Sequence, residues 1–306
     1  MLRNMGSKDA LAGPPSSAGE KSVAEVFRSD EQPPPTPARL HKRKSWTASS
    51  REVWEYREVL YFLVLRNLKV RYRQTVLGAA WSVLQPLAFM GLFVLIVEKL
   101  MTVRSQGAPY PLFAFAALVP FGLFSQSLTL AAPSVVQDIN LVSKVYVPRL
   151  LIPLAAVGAL VVDFLISLAI LFAMMAIYST SPDLSALVWI PSLTVLALVT
   201  SVAVGVWLSA LMVMYRDVRA IVPFLAQVFL FLTPVAYPTS LVPDRWLIIY
   251  GLNPMASVVE GFRSALLGSE PPPARMLAAS VIAAIALLGA ALSYFHRVDR
   301  VFADVI

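Results

Sequence analysis

Residues 150–182 read LLIPLAAVGALVVDFLISLAILFAMMAIYSTSP, and Asp163 is the only charge among them. A helix needs about 20 mostly apolar residues to cross a bilayer, so this run is long enough. The pattern repeats on both sides. Residues 74–97, 105–137, 184–215, 220–243 and 276–295 carry no charge at all. The spacing predicts spans near 79–99, 111–131, 151–178, 187–214, 221–241 and 276–295. That is an all-α membrane protein of six transmembrane helices, with an N-terminal interfacial helix over 51–73 and a transmembrane domain over 74–306.

The whole composition agrees. The chain has 306 residues, 58% hydrophobic and 14% charged, with mean hydropathy +0.71. A soluble domain carries roughly 25% charge, so a soluble globular enzyme is not expected. There is no cysteine, which excludes disulfides, thiolate metal sites and thiol nucleophiles. The two histidines, His41 and His296, stand near opposite ends. A histidine metal site within the membrane is therefore not expected.

The net charge of +7 reads through topology rather than as a nucleic-acid footprint. With both ends inside, the regions 1–78, 132–150, 215–220 and 296–306 hold 14, 2, 2 and 2 Lys/Arg. The regions outside, 99–110, 179–186 and 242–275, hold 2, 0 and 3. Both termini are expected in the cytoplasm. No cleavable signal peptide or lipidation motif is visible, so the first span is expected to serve as the signal.

Residues 1–50 hold six prolines and eight serines and few large apolar side chains. They cannot bury enough surface to offset their ordering entropy, and a disordered cytoplasmic tail is expected. The run His41-Lys42-Arg43-Lys44 suits either solvent or anionic headgroups. Residues 51–73 differ. Arg66, Lys69 and Arg73 recur at helical spacing, and Tyr61, Val64, Leu65, Leu68 and Tyr72 form an apolar stripe. This predicts an amphipathic helix on the inner leaflet, either an anchor or a docking surface for a cytoplasmic partner or an anionic headgroup. In loop 132–150, Pro133-Ser134 opens a short helix, either a connector or a receiver of motion from a soluble engine.

Prolines 86, 120, 153, 191, 223, 234 and 238 fall inside the predicted spans and should kink them. Between the last two spans, the apolar pieces Trp246–Leu252 and Met255–Leu267 are too short to cross. They read as re-entrant helices divided by Gly251 and Asn253-Pro254, with Glu260 and Arg263 spaced to pair.

No phosphate loop, dinucleotide fingerprint, His-Glu-x-x-His helix or Gly-x-Ser-x-Gly elbow occurs, so no ATP hydrolysis or other catalysis is expected of this chain. Asp163 is the one acidic residue well inside a span. It reads as a neutral or hydrogen-bonded structural group ahead of a proton-coupling site, since proton relays use several such groups.

The stretch Leu65–Pro86, LRNLKVRYRQTVLGAAWSVLQP, resembles the signature of ABC type-2 exporter permeases for cell-surface polysaccharides. YPLFAFAALVPF at 110–121, NLVSKVYVPRLLIP at 140–153, YRDVR at 215–219, the Thr-Pro-Val-Ala-Tyr-Pro to Leu-Asn-Pro segment at 233–254 and the terminal FADVI follow in the family's order. The resemblance covers about 54–306. It implies a homodimer in a bacterial inner membrane that docks two copies of a separate ATPase, which bind ATP and Mg. It implies a cargo built on a polyprenyl-diphosphate lipid, moved from the inner leaflet outward. The family's coupling helix falls at about 134–145, which makes Val135, Gln137, Asp138, Asn140 and Lys144 candidate ATPase-coupling residues. Diphosphate suits guanidinium and ammonium groups, which makes Arg66, Lys69, Arg71 and Arg73 the headgroup candidates. Phe89, Phe93, Phe121, Phe124, Phe231 and Tyr237 are the candidate channel-lining aromatics. Such aromatics at helical spacing more often pack than line. A small-lipid or drug exporter of the same superfamily, a proton-coupled carrier using Asp163 and a membrane-embedded transferase are the alternative readings.

Overall fold

The computed structural model describes residues 53–73, 80–100, 108–138, 147–182 and 186–299. The tail 1–50, the coupling candidates Asn140 and Lys144, and the FADVI terminus lie outside them. Among the described residues there are helices and turns and no strand.

The first long helix, α1, is Arg57–Arg73. α2 is Ala80–Phe93 and continues as a π-helical stretch over Val94–Leu100. α3 is Tyr110–Ala131, and the single-turn α4 is Ser134–Gln137. α5 is Leu151–Ile177, α6 is Ala186–Met214 and α7 is Val218–Leu232. The short α8, Leu247–Gly251, precedes α9, Pro254–Leu267, and α10, Ala274–Asp299.

Helices α3, α5, α6 and α10 are long and apolar enough to cross a membrane. α2 and α7 are shorter apolar helices. The expected span 221–241 needs correction, because α7 stops at Leu232. Apolarity runs on past that point, but a residue before proline is driven to extended backbone. Thr233, before Pro234, has φ −97° and ψ 140°. Pro234 and Pro238 therefore lie beyond the helix, where they cannot kink it. Pro86, Pro120, Pro191 and Pro223 do sit inside helices.

α3 is the centre of the fold. Of its most apolar stretch 78% is buried, against 22% for α10 at the periphery. Lipid tails are as apolar as leucine, so spans associate through close packing of small residues rather than by escape from water. Gly205 of α6 shows this. A Cβ there would lie 2.8 Å from Ala131 Cβ of α3, so only glycine lets the two helices approach so closely. The outward faces keep large apolar side chains exposed, including Leu165 and Phe172 on α5 and Ile282 and Ile285 on α10.

α9 is defined by local sequence at both ends. Asn253 caps it, its side chain accepting from the Met255 amide at 3.2 Å, and Pro254 takes the first helical position. Gly268 ends it in the left-handed region, at φ 69°. With 14 residues α9 is too short to span. It packs against α3 and α6 and buries Met255, Val258, Val259, Phe262 and Leu266 completely.

Candidate functional site

Two polar assemblies stand out in this apolar framework. The first joins α1 to the spans. Arg71 Nη1 lies 2.8 Å from Asp163 Oδ2, and the Asp163 side chain is 4% exposed. Tyr72 donates its hydroxyl hydrogen to the other carboxylate oxygen of Asp163. Arg71 also donates to the side-chain carbonyl of Gln126 on α3. Nearer the middle of α1, Arg66 pairs with Asp138, the residue that ends α4, and donates to Asn67 Oδ1 at 3.1 Å. Asp163 is thus hydrogen-bonded, as one arm of the expectation had it, and carries an arginine partner from α1.

The candidate cations divide accordingly. Arg66 and Arg71 are held by carboxylates of the chain itself. Lys69 and Arg73 are exposed. The expected apolar stripe of α1 also resolves differently. Leu63 is the buried residue, set against Leu151 and Ala155 of α5, with Val59, Leu60 and Val64 beside it. Tyr61 is largely exposed, along with Phe62. A helix that docks on one neighbour buries only the edge that meets it, and that edge is narrower than the apolar face.

The coupling candidates divide as well. Val135 is buried with Leu150, Val206 and Phe295, so it fixes the loop to the bundle. Gln137 is exposed. Arg149, at the head of α5, donates to the Asp299 carboxylate at 3.0 Å and to its backbone carbonyl at 2.7 Å, which ties the end of α10 to this same side.

Among the candidate channel aromatics, Phe121 and Phe124 are core residues. Their rings lie 6.2 Å apart, and Phe124 meets Phe229 edge-on at 5.2 Å. α3 is enclosed by protein along this stretch, so both rings are occupied by neighbours. Phe93 is partly buried against the same cluster. Phe89 and Phe231 are exposed. Tyr237 donates to the Phe231 carbonyl at 2.9 Å and lies 2.8 Å from the Tyr250 hydroxyl.

The second assembly surrounds Arg263 of α9, which is fully buried. Its guanidinium donates to the carbonyls of Pro234 and Val235 at 2.6 Å each, Phe113 at 3.1 Å and Tyr237 at 3.2 Å. It stacks 3.5 Å from the Phe113 ring centre and stands 3.5 Å from Glu260 Oε2. The break after α7 frees carbonyls that have no helical partner, and one guanidinium satisfies three of them. Asn253 adds a bond from its amide to Thr233 Oγ1 at 3.0 Å. Burial pushes the Arg263 pKa down to about 10 against the pull of Glu260, so it remains protonated at neutral pH. Burial likewise pushes the Tyr250 hydroxyl up. The spacing of Glu260 and Arg263 foretold their pairing. Nothing local foretold the carbonyl ligands, which come from α3 and from the segment after α7.

Among the described residues no cluster of His, Asp or Glu is arranged to hold a metal ion. The first assembly fastens cations of one helix to a loop and to two spans.

Known proteins resemble the chain over most of its length. Residues 58–267 match the ABC-2 type transporter family. The chain is 31% identical over 258 residues to the O-antigen export system permease protein RfbA of Myxococcus xanthus, covering 84% of this chain and 98% of that protein. It is 27% identical over 255 residues to an RfbA of Klebsiella pneumoniae, covering 81% and 95%. It is 21% identical over 207 residues to the polysialic acid transport protein KpsM of Escherichia coli, covering 67% and 80%.

Proposed function

The chain belongs to the ABC-2 type transporter family, and from that premise we propose that it is the membrane permease of an ATP-driven exporter of a cell-surface polysaccharide. The observation that carries this reading is the near-complete coverage of O-antigen export permeases, reinforced by the more distant polysialic acid transport protein. The apolar helices supply the membrane body, and the large exposed side chains on α5 and α10 suit a lipid boundary.

In this reading two copies of the chain form the conduit in a bacterial inner membrane, with both termini in the cytoplasm. Two copies of a partner ATPase bind ATP and Mg and dock at the Ser134–Asp138 loop and at α1. Exposed Gln137 is the described coupling candidate that meets the partner; Asn140 and Lys144 are further candidates outside the described residues. The chain meets the inner interface at the start of α1, where exposed Trp54, Tyr61 and Phe62 suit the headgroup level, and α1 then runs beside α5 as far as Asp163. The cargo is a glycan on a polyprenyl diphosphate. Lys69 and Arg73, the exposed pair at (i, i+4), meet its diphosphate, because Arg66 and Arg71 already serve Asp138 and Asp163. Phe89 and Phe231 offer exposed rings on which sugars can stack.

The test is affinity purification of the tagged protein from its native membrane, with mass spectrometry of what accompanies it. A stoichiometric ATPase, lost when 134–145 is altered, is the expected result. A clean preparation without an ATPase overturns the reading.

A further inference from the structure

A carboxylate inside a spanning segment is costly, and such groups are kept for a purpose. Asp163 is the only charge in 150–182, and its partner comes from outside the span. Arg71 and Tyr72 of α1 both address it, and Arg71 simultaneously holds Gln126 of α3. One guanidinium therefore bridges two spans from a third helix. The contact is not confined to that point. Leu63 packs on Leu151 and Ala155, and a Cβ on Gly158 would lie 2.9 Å from Val64 Cγ2. The contacts at 63, 64 and 71 of α1 meet 151–155, 158 and 163 of α5 in the same order, so the two helices run alongside in one direction. Midway along α1, Arg66 fastens it to Asp138, the end of α4.

From this juxtaposition we propose that Arg71, Tyr72, Gln126 and Asp163 form a fixed joint that makes α1 move as one body with α3 and α5, carrying force from the Ser134–Asp138 loop into the spans. Asp163 is then a positioning residue for transport. Lifting α1 away would leave its carboxylate buried without its cation, which resists any sliding of α1 over α5. An open, weakly held α1 would need no such group at that depth. The proposal rests on the reading above that a separate ATPase drives the permease.

The chain has no cysteine, so an introduced pair reports cleanly. Val64→Cys with Gly158→Cys places two sulfurs where the helices touch, within the reach of a disulfide. In the complete complex, oxidising this pair is expected to leave glycan export within roughly twofold of the reduced protein. Export that stops on oxidation and returns on reduction would mean that α1 slides on α5, and would overturn the joint. A second experiment addresses the charges. Asp163→Asn is expected to keep ATP hydrolysis while export per ATP falls roughly tenfold, as for mutations along a coupled network. Arg71→Gln combined with Asp163→Asn removes the uncompensated cation and is expected to restore most of the loss. Normal export per folded molecule in Asp163→Asn refutes the proposal. So does a folded double variant as defective as the single one, since Asp163 would then act by itself. If Asp163→Asn does not fold, the disulfide arm decides. An absent ATPase in the wild-type preparation is a failure of the functional reading and is seen before any variant is made.

Discussion

Removing Arg263 gives the sharpest test of how the segment after α7 is held. Arg263→Met keeps much of the side-chain length and deletes the guanidinium. Four carbonyls, of Phe113, Pro234, Val235 and Tyr237, lose a donor, and the Glu260 carboxylate stays buried with no cation. An orphaned buried polar group costs about 1–3 kcal/mol. Four of them give an upper bound of about 12 kcal/mol if nothing relaxes. The segment after α7 is irregular and can turn carbonyls toward water, so the cost should settle near about 3–5 kcal/mol, the range for breaking a buried pair. Arg263→Lys keeps the charge but has three donors and no planar fork, and should cost less, about 2 kcal/mol. Glu260→Gln added to Arg263→Met removes the stranded charge and should recover about 1–3 kcal/mol. The assay is amide hydrogen exchange in micelles, followed at Val235, Leu241 and Val242, whose amides bond within this segment. The expected acceleration for Arg263→Met is on the order of 100-fold or more, since about 1.4 kcal/mol is tenfold. An acceleration below tenfold, or a double variant worse than the single one, would refute the account of Arg263 as the clamp on this segment.

Two further outcomes follow from contacts in the core and between α1 and the end of α4. Gly205→Ala should destabilise by about 1–3 kcal/mol, because its Cβ would meet Ala131 Cβ at 2.8 Å. Ala131→Gly in the same molecule should restore the melting temperature, and failure to do so would place the strain elsewhere. Arg66→Gln should change thermal stability by less than about 1 kcal/mol, because both members of its pair with Asp138 are substantially exposed, 38% and 27%. A loss matching that of Arg71→Gln would show that burial does not separate the two pairs.

Much of the fold was legible because membrane helices announce themselves through the absence of charge. α3, α5, α6 and α10 fall where uncharged runs predicted spans, within a few residues. The error at α7 is instructive. Residues 233–241 continue the charge-free run that begins at Ala220, but Thr233-Pro234 ends the hydrogen-bond ladder. The proline was visible, and hydropathy outweighed it in the reading. The start of α9 was legible in Asn253-Pro254. Phe121 and Phe124 show the opposite case. Aromatics one turn apart look the same in a sequence whether they line a conduit or fill a core, and the neighbours that decide come from α7. The candidate cations show it too. Arg66, Lys69, Arg71 and Arg73 form one basic group along the chain, and only distant carboxylates divide them into two held and two exposed.

The sequence by itself determined an all-helical membrane chain, the start of α9 and the family, because each depends on residues adjacent in the chain. Charge-free length, a cap and its proline, and a motif order are local properties. The tertiary structure alone decided that Arg71 and Tyr72 answer Asp163, and that Arg263 satisfies the carbonyls freed where α7 breaks. In both cases a buried charge needs a partner wherever it is placed. Which partner it receives depends on which distant helices pack beside it, and no local pattern encodes that.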